Sequence, residues 1–105
     1  YKMVVGTANE YDMCKSALVR NNVMDFFEDL VTCSMVGCSK ERPDIYLLAC
    51  EKMGLSMEDC VIFEDSYFAI NTATKAGFSV IGVYDDTVEE NWENICKITD
   101  GQVVF

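Results

Sequence analysis

The sequence predicts an α/β fold, a parallel sheet with helices on both faces, and three observations carry that prediction. Short apolar runs alternate with helical patterns along all 105 residues, with no repeat, low-complexity tract or linker. Val61-Ile62-Phe63 and residues 79–83 are continuous apolar runs, the signature of strands covered on both faces. Gly54 and Gly77 stand where helical patterns end, as left-handed stops do.

Taken in order, residues 1–6 read as a short buried strand ending in glycine. Residues 12–20 carry Met13, Ala17 and Leu18 at helical spacing, and Asn21-Asn22 closes that helix. Residues 24–30 predict a turn of helix leading into a strand over 30–33. Pro43 opens the clearest helix, because its missing N–H would have no intrahelical partner in the first turn. Ile45, Leu47, Leu48, Ala49 and Met53 give that helix its apolar face. After the strand at 61–63, a helix over 67–76 turns Ala69, Ile70, Ala73 and Ala76 inward. A strand at 79–83, a helix over 87–95 and a last strand at 102–105 complete the pattern. Trp92, Phe26, Phe27 and Tyr46 read as packing residues. Parallel sheets bind ligands beyond the carboxyl ends of their strands. That rule singles out Thr7-Ala8-Asn9, Glu64-Asp65-Ser66 and Tyr84-Asp85-Asp86.

Eighteen acidic residues against eight basic ones leave a net charge of −10. Without a basic stripe, nucleic acid and anionic membranes are excluded as partners. The chain has no histidine, which removes Ser–His and Cys–His catalysis and every His-containing metal site. No apolar run approaches the ~20 residues of a membrane span, and no basic-then-apolar leader precedes the first strand, so a soluble chain is expected. Six cysteines show no C-x-x-C pairing, and the expectation is reduced thiols in a cytoplasmic protein. Tyr1 in place of an initiator methionine is expected of a processed chain or a piece of a longer one.

The sharpest chemical feature is Glu64-Asp65. Two carboxylates at a strand's carboxyl end suit a hard cation such as Mg²⁺, which takes one or two carboxylates plus waters and a substrate phosphate. The alternative is that Asp65 merely caps the following helix. Thr7 presents a hydroxyl and following N–H groups that could face an oxyanion. Lys40, on an acidic loop before a helix, could neutralise a phosphate or be simply solvated. Asp85-Asp86 and Glu89-Glu90 read as a solvated acidic face at a helix start.

The run SKERPDIYLLACEKMGLSMEDCVIFEDSYFAINTATKAGFSVIGVYD resembles the haloacid dehalogenase-like (HAD) hydrolase superfamily, and within it the β-phosphoglucomutase-like phosphatases and mutases. The likeness is dense from Ser39 to Asp85 and extends back to Lys2. It implies a Rossmann-like core and makes residues 1–105 the carboxyl-terminal part of a HAD-like core domain. Thr7 matches the family's second motif, with Ala8 and Asn9 extending its phosphoryl cradle. Lys40 matches the third motif, the lysine that pairs with the nucleophilic aspartate and the transferring phosphate. Glu64 and Asp65 match the fourth, the Mg²⁺-binding acid pair, which favours phosphoryl transfer over dehalogenation. Ser66 would support those carboxylates.

Two departures qualify the likeness. No D-x-D occurs in the chain, so the first motif, its aspartyl nucleophile and the central strand that bears it are missing, and so is the cap domain. The resemblance therefore implies an enzyme acting on a small phosphorylated metabolite through an aspartyl-phosphate, of which this piece alone is expected to be inactive. Without its central strand, either the Thr7 and Glu64 strands pair directly, or strand exchange or homo-oligomerisation supplies the missing rung. The rival readings are a non-catalytic acidic protein-interaction module of HAD-like fold and, more remotely, a phospho-receiver domain.

Overall fold

β1 (Val4–Thr7) and β2 (Asp29–Thr32) pair in parallel, with Val4 opposite Asp29 and Thr7 opposite Thr32. They are joined by α1 (Tyr11–Arg20) and a 3-10 turn at Met24–Phe26. A parallel pair needs such a crossover, because a tight hairpin can only return a strand antiparallel. The computed structural model describes all 105 residues and divides them into two compact units, Tyr1–Ser56 and Met57–Phe105.

The first unit continues through α2 (Cys33–Val36) and α3 (Asp44–Met53), and α3 packs on both β1 and β2. Leu30, Val31, Ile45, Tyr46 and Cys50 form its core. Pro43 stands immediately before α3, and Gly54 ends it at φ 68°, where a residue with a Cβ would be strained. Lys2 donates to the carbonyl of Met53 at 3.1 Å, giving the C-terminal end of α3 a favourable positive charge.

In the second unit β3 (Val61–Glu64), β4 (Ser79–Val83) and β5 (Gly101–Val103) form a three-stranded parallel sheet in that order. The crossovers are α4 (Tyr67–Ala76) and a 3-10 segment (Asp86–Asn91) that runs into α5 (Trp92–Ile98). Ala69, Ile70 and Ala73 of α4, Val80 of β4 and Ile95 of α5 are buried almost completely. Gly82 is required here by space: a Cβ on it would lie 2.7 Å from Cγ2 of Ile95.

Most expected elements are present, with several differences; among them, Leu47 and Met13, expected on apolar helix faces, are 44% and 65% exposed, and the last strand spans Gly101–Val103 rather than 102–105. Residue 33 begins α2 instead of ending a strand, because the chain turns at once into a short helix closed by left-handed Gly37. The helix expected over 87–95 is a 3-10 segment first and an α-helix only from Trp92. Phe26 is exposed, whereas Tyr46 packs in the core as expected. The strand at 61–63 is covered on one face only: Ile62 and Glu64 turn inward, while Val61 and Phe63 are 55% and 66% exposed.

The sheets account for the missing rung. β1 is hydrogen-bonded only to β2, and β3 only to β4, so the Thr7 and Glu64 strands do not pair directly. Each keeps one edge of unpaired N–H and C=O groups.

Candidate active site

The acid pair sits where β3 gives way to α4. Glu64 is 6% exposed, and one of its carboxylate oxygens accepts the backbone N–H groups of Asp65 at 3.1 Å and Ser66 at 3.2 Å. Inward-facing, the side chain has a buried acceptor oxygen satisfied by these two donors. Ser66 is the N-cap of α4, its hydroxyl accepting from the N–H of Ala69. Capping therefore does not occupy Asp65, whose carboxyl lies exposed beyond the strand end.

Three carboxyls meet around Asp65. Burial, then a hydrogen bond and like charge from Glu64, push the Asp65 carboxyl above its usual range, and the charge of Asp85 adds to this. Asp85 follows β4 and is held below the usual carboxylate range by the hydroxyl and N–H of Thr87, with a hydrogen bond from Asp65 contributing. It stands at a helix start as expected, capping the 3-10 segment, and is half-buried there. Its place beyond a strand end is one of the three that the sequence singled out, and the structure brings it to Asp65.

No group of three or more Cys, Asp or Glu side chains is arranged to hold a metal ion. The fit to magnesium is a partial one. Asp65 offers an exposed carboxylate beside the buried carboxylate of Glu64, and the crowding of like charge is what a cation relieves. Magnesium is bound in this way by one or two carboxylates, other ligands coming from water and substrate.

Thr7 and Lys40 lie in the first unit. Thr7 ends β1, and its hydroxyl oxygen accepts the N–H of Asn9 at 3.0 Å. The Asn9 N–H is thus turned onto Thr7, contrary to the expectation that it is open to an oxyanion; the Thr7 proton remains to be donated. Ala8 and Asn9 are exposed in the turn that follows. Lys40 is half-buried ahead of α3, its ammonium 5.9 Å from the centroid of the Tyr46 ring, within cation–π range.

A second feature of the second unit escaped the sequence. Asp65, Tyr67 and Phe68 at the start of α4, with Thr87, Val88 and Asn91 of the 3-10 segment, line an open cleft of about 330 Å³. Residues twenty positions apart share it only because parallel strands place successive crossovers side by side.

Fold and residues define a parallel α/β protein with its acidic chemistry beyond the carboxyl ends of its strands. The chain belongs to the haloacid dehalogenase-like hydrolase family, whose model matches residues 1–83. It is 33% identical over 81 residues to the fructose-1-phosphate phosphatase of Escherichia coli K12, covering 77% of this chain and 43% of that protein. Against the β-phosphoglucomutase of Bacillus subtilis it is 29% identical over 79 residues, covering 75% of this chain and 35% of the other. A Thermotoga maritima crystal structure assigned as a β-phosphoglucomutase superposes with a TM-score of 0.84 at 25% identity, over 98% of this chain and 48% of that one. The chain spans less than half the length of each of these proteins.

Proposed function

We propose that these residues are the carboxyl-terminal part of the core of a Mg²⁺-dependent phosphatase or phosphomutase acting on a small phosphorylated metabolite. Relatives named for fructose 1-phosphate and for phosphorylated carbohydrates favour a sugar phosphate as that substrate. The observation that carries the reading is Asp65: exposed, crowded by Glu64 and Asp85, and released from helix capping by Ser66.

In this reading Glu64 and Asp65 bind Mg²⁺, which supplies positive charge against the phosphoryl oxygens. Thr7 donates its hydroxyl to the phosphoryl group, with Ala8 and Asn9 beside it, and Lys40 positions and neutralises. The nucleophile, an aspartate that becomes phosphorylated, comes from a segment other than these 105 residues. The open edges of β1 and β3 favour completion by a further strand, from the same enzyme or by exchange with a second copy. Six free thiols accord with a cytoplasmic location, and no helix is long and apolar enough to cross a membrane.

Calorimetric titration with Mg²⁺ tests the metal assignment: saturable heat from the chain, lost in Asp65→Asn, is expected. Turnover of p-nitrophenyl phosphate by the pure chain is expected to be nil. Measurable Mg²⁺-dependent turnover would overturn the assignment of the nucleophile to another segment.

A further inference from the structure

Cys33 and Cys38 flank a single turn of the first unit. α2 runs from Cys33 to Val36, and Gly37 closes it at φ 72°, its N–H donating to the carbonyl of Cys33 at 2.9 Å. At a helix end of this kind the chain doubles back. The residue after the left-handed glycine then comes against the one whose carbonyl accepts the closing bond. Here those two residues are Cys38 and Cys33. A disulfide needs Cα atoms within about 7 Å, and a helical turn rises only about 5.4 Å, so the doubled-back chain suits a bridge. The two thiols already lie close enough for charge on Cys33 to act on Cys38. Both are free and half-buried, while Ser34, Met35 and Gly37 are exposed and the space beside Gly37 is open, leaving the turn accessible to a small molecule. The segment that follows is tied to α3 partly through one of these thiols. Cys38 donates its S–H to the carboxylate of Asp44, at the start of α3, and Arg42 pairs with the same carboxylate at 3.4 Å. Lys40 lies between them, half-buried beside the Tyr46 ring.

We propose that Cys33 and Cys38 are a thiol switch: they close a reversible disulfide across the turn, and its closure releases Lys40 from its place beside Tyr46. The oxidant is a small disulfide such as oxidised glutathione. The Cys33 thiolate attacks one of its sulfurs and expels a glutathione thiolate. The Cys38 sulfur then attacks the Cys33 sulfur of the mixed disulfide and expels the second glutathione. Two protein thiols are oxidised, one glutathione disulfide is reduced, and the two thiol protons end on the two glutathiones. Asp44 loses its S–H donor, so the segment before α3 keeps only the Arg42 pair. A transient bridge of this kind is compatible with a reducing compartment, where cytosolic disulfides serve sensing or catalysis. The inference rests on the proposed function only for its consequence, since Lys40 is the lysine assigned there to the phosphoryl group.

The test treats the pre-reduced chain with oxidised glutathione, blocks remaining thiols with iodoacetamide and maps tryptic peptides by mass spectrometry. Cleavage after Arg20 and Lys40 gives a peptide that contains Cys33 and Cys38 and no other cysteine. That peptide is expected to be about 2 Da lighter and unalkylated, the loss of two hydrogens to a bridge. In Cys33→Ser and in Cys38→Ser the remaining thiol should carry glutathione instead. Acylation of Lys40 by a succinimidyl ester, read as lost cleavage after it, should be severalfold faster in the bridged chain and return to its first rate with dithiothreitol. Far-ultraviolet dichroism should be the same before and after oxidation. Glutathione adducts on both wild-type thiols, or bridges to other cysteines in their place, would overturn the inference. So would a bridge that leaves Lys40 acylation unchanged, or one that forms only with loss of the dichroism. None of these readouts needs Mg²⁺ or turnover. A bridge that moves Lys40 in a chain that binds no Mg²⁺ leaves the switch standing without the metal assignment, and Mg²⁺ binding without a bridge removes only the switch.

Discussion

The carboxylate of Glu64 folds back onto the backbone N–H of Ser66, 3.2 Å away, where β3 gives way to α4. One buried acid thus ties the end of the strand to the start of the helix, and its neighbour Asp65 is left facing outward. Glu64→Ala leaves two N–H groups without their acceptor and should destabilise the second unit by about 2 kcal/mol. Glu64→Gln keeps an acceptor oxygen and should cost less. Urea denaturation of both variants checks the order.

Asp65 sits among the like charges of Glu64 and Asp85. In metal-free buffer Asp65→Asn should therefore raise the melting temperature slightly, because the crowding of Glu64, Asp65 and Asp85 is relieved. Adding Mg²⁺ should raise the melting temperature of the wild-type chain and leave the variant unmoved, since a ligand stabilises only the state that binds it. Thermal melts with and without Mg²⁺ read both effects.

Gly82 has no room for a methyl group. Gly82→Ala would drive a Cβ to 2.7 Å from Ile95, which is fully buried. The expected loss is about 1–3 kcal/mol by denaturant unfolding, as for other overpacked cores. Combined with Ile95→Ala, which removes the obstructing Cγ2, the loss should fall short of the sum of the single changes.

The thiol of Cys38 is pushed up by burial and then by the charge and hydrogen bond of Asp44. A raised thiol pKa leaves less thiolate at a given pH, so alkylation of Cys38 should set in only at higher pH than for an ordinary cysteine. Asp44→Asn removes the charge, lowers that threshold and should speed the reaction severalfold at pH 8. Mass spectrometry of iodoacetamide-treated peptides across a pH series measures it.

Phe63 is 66% exposed on a strand with one open edge. Phe63→Lys should leave the unfolding free energy of the chain within about 0.5 kcal/mol, as surface changes do. It should reduce concentration-dependent association in sedimentation velocity, because edge lysines oppose strand-to-strand pairing. Equal association of wild type and variant would remove β3 as the pairing edge.

Local signals reached far in this chain. The bounds of α4 and β4, the stop at Gly77, the proline ahead of α3 and the burial of Cys50 and Cys60 all follow from periodicity, backbone chemistry and the small apolar character of a thiol. Glu64 and Asp65 were legible because a strand's carboxyl end is a position that hydropathy alone can locate. Other features depend on neighbours distant in sequence. The pattern Val61-Ile62-Phe63 states only that the run is apolar; whether both faces are covered depends on which strands and helices lie beside it, and here one edge and one face stay open. The division of labour between Ser66 as cap and Asp65 as an acid that does not cap is decided by which side chain reaches the N–H of Ala69. The contact of Asp85 with Asp65, and the cleft shared by Phe68 and Asn91, exist because parallel strands return every crossover to the same end of the sheet, bringing together residues some twenty positions apart that no local pattern connects.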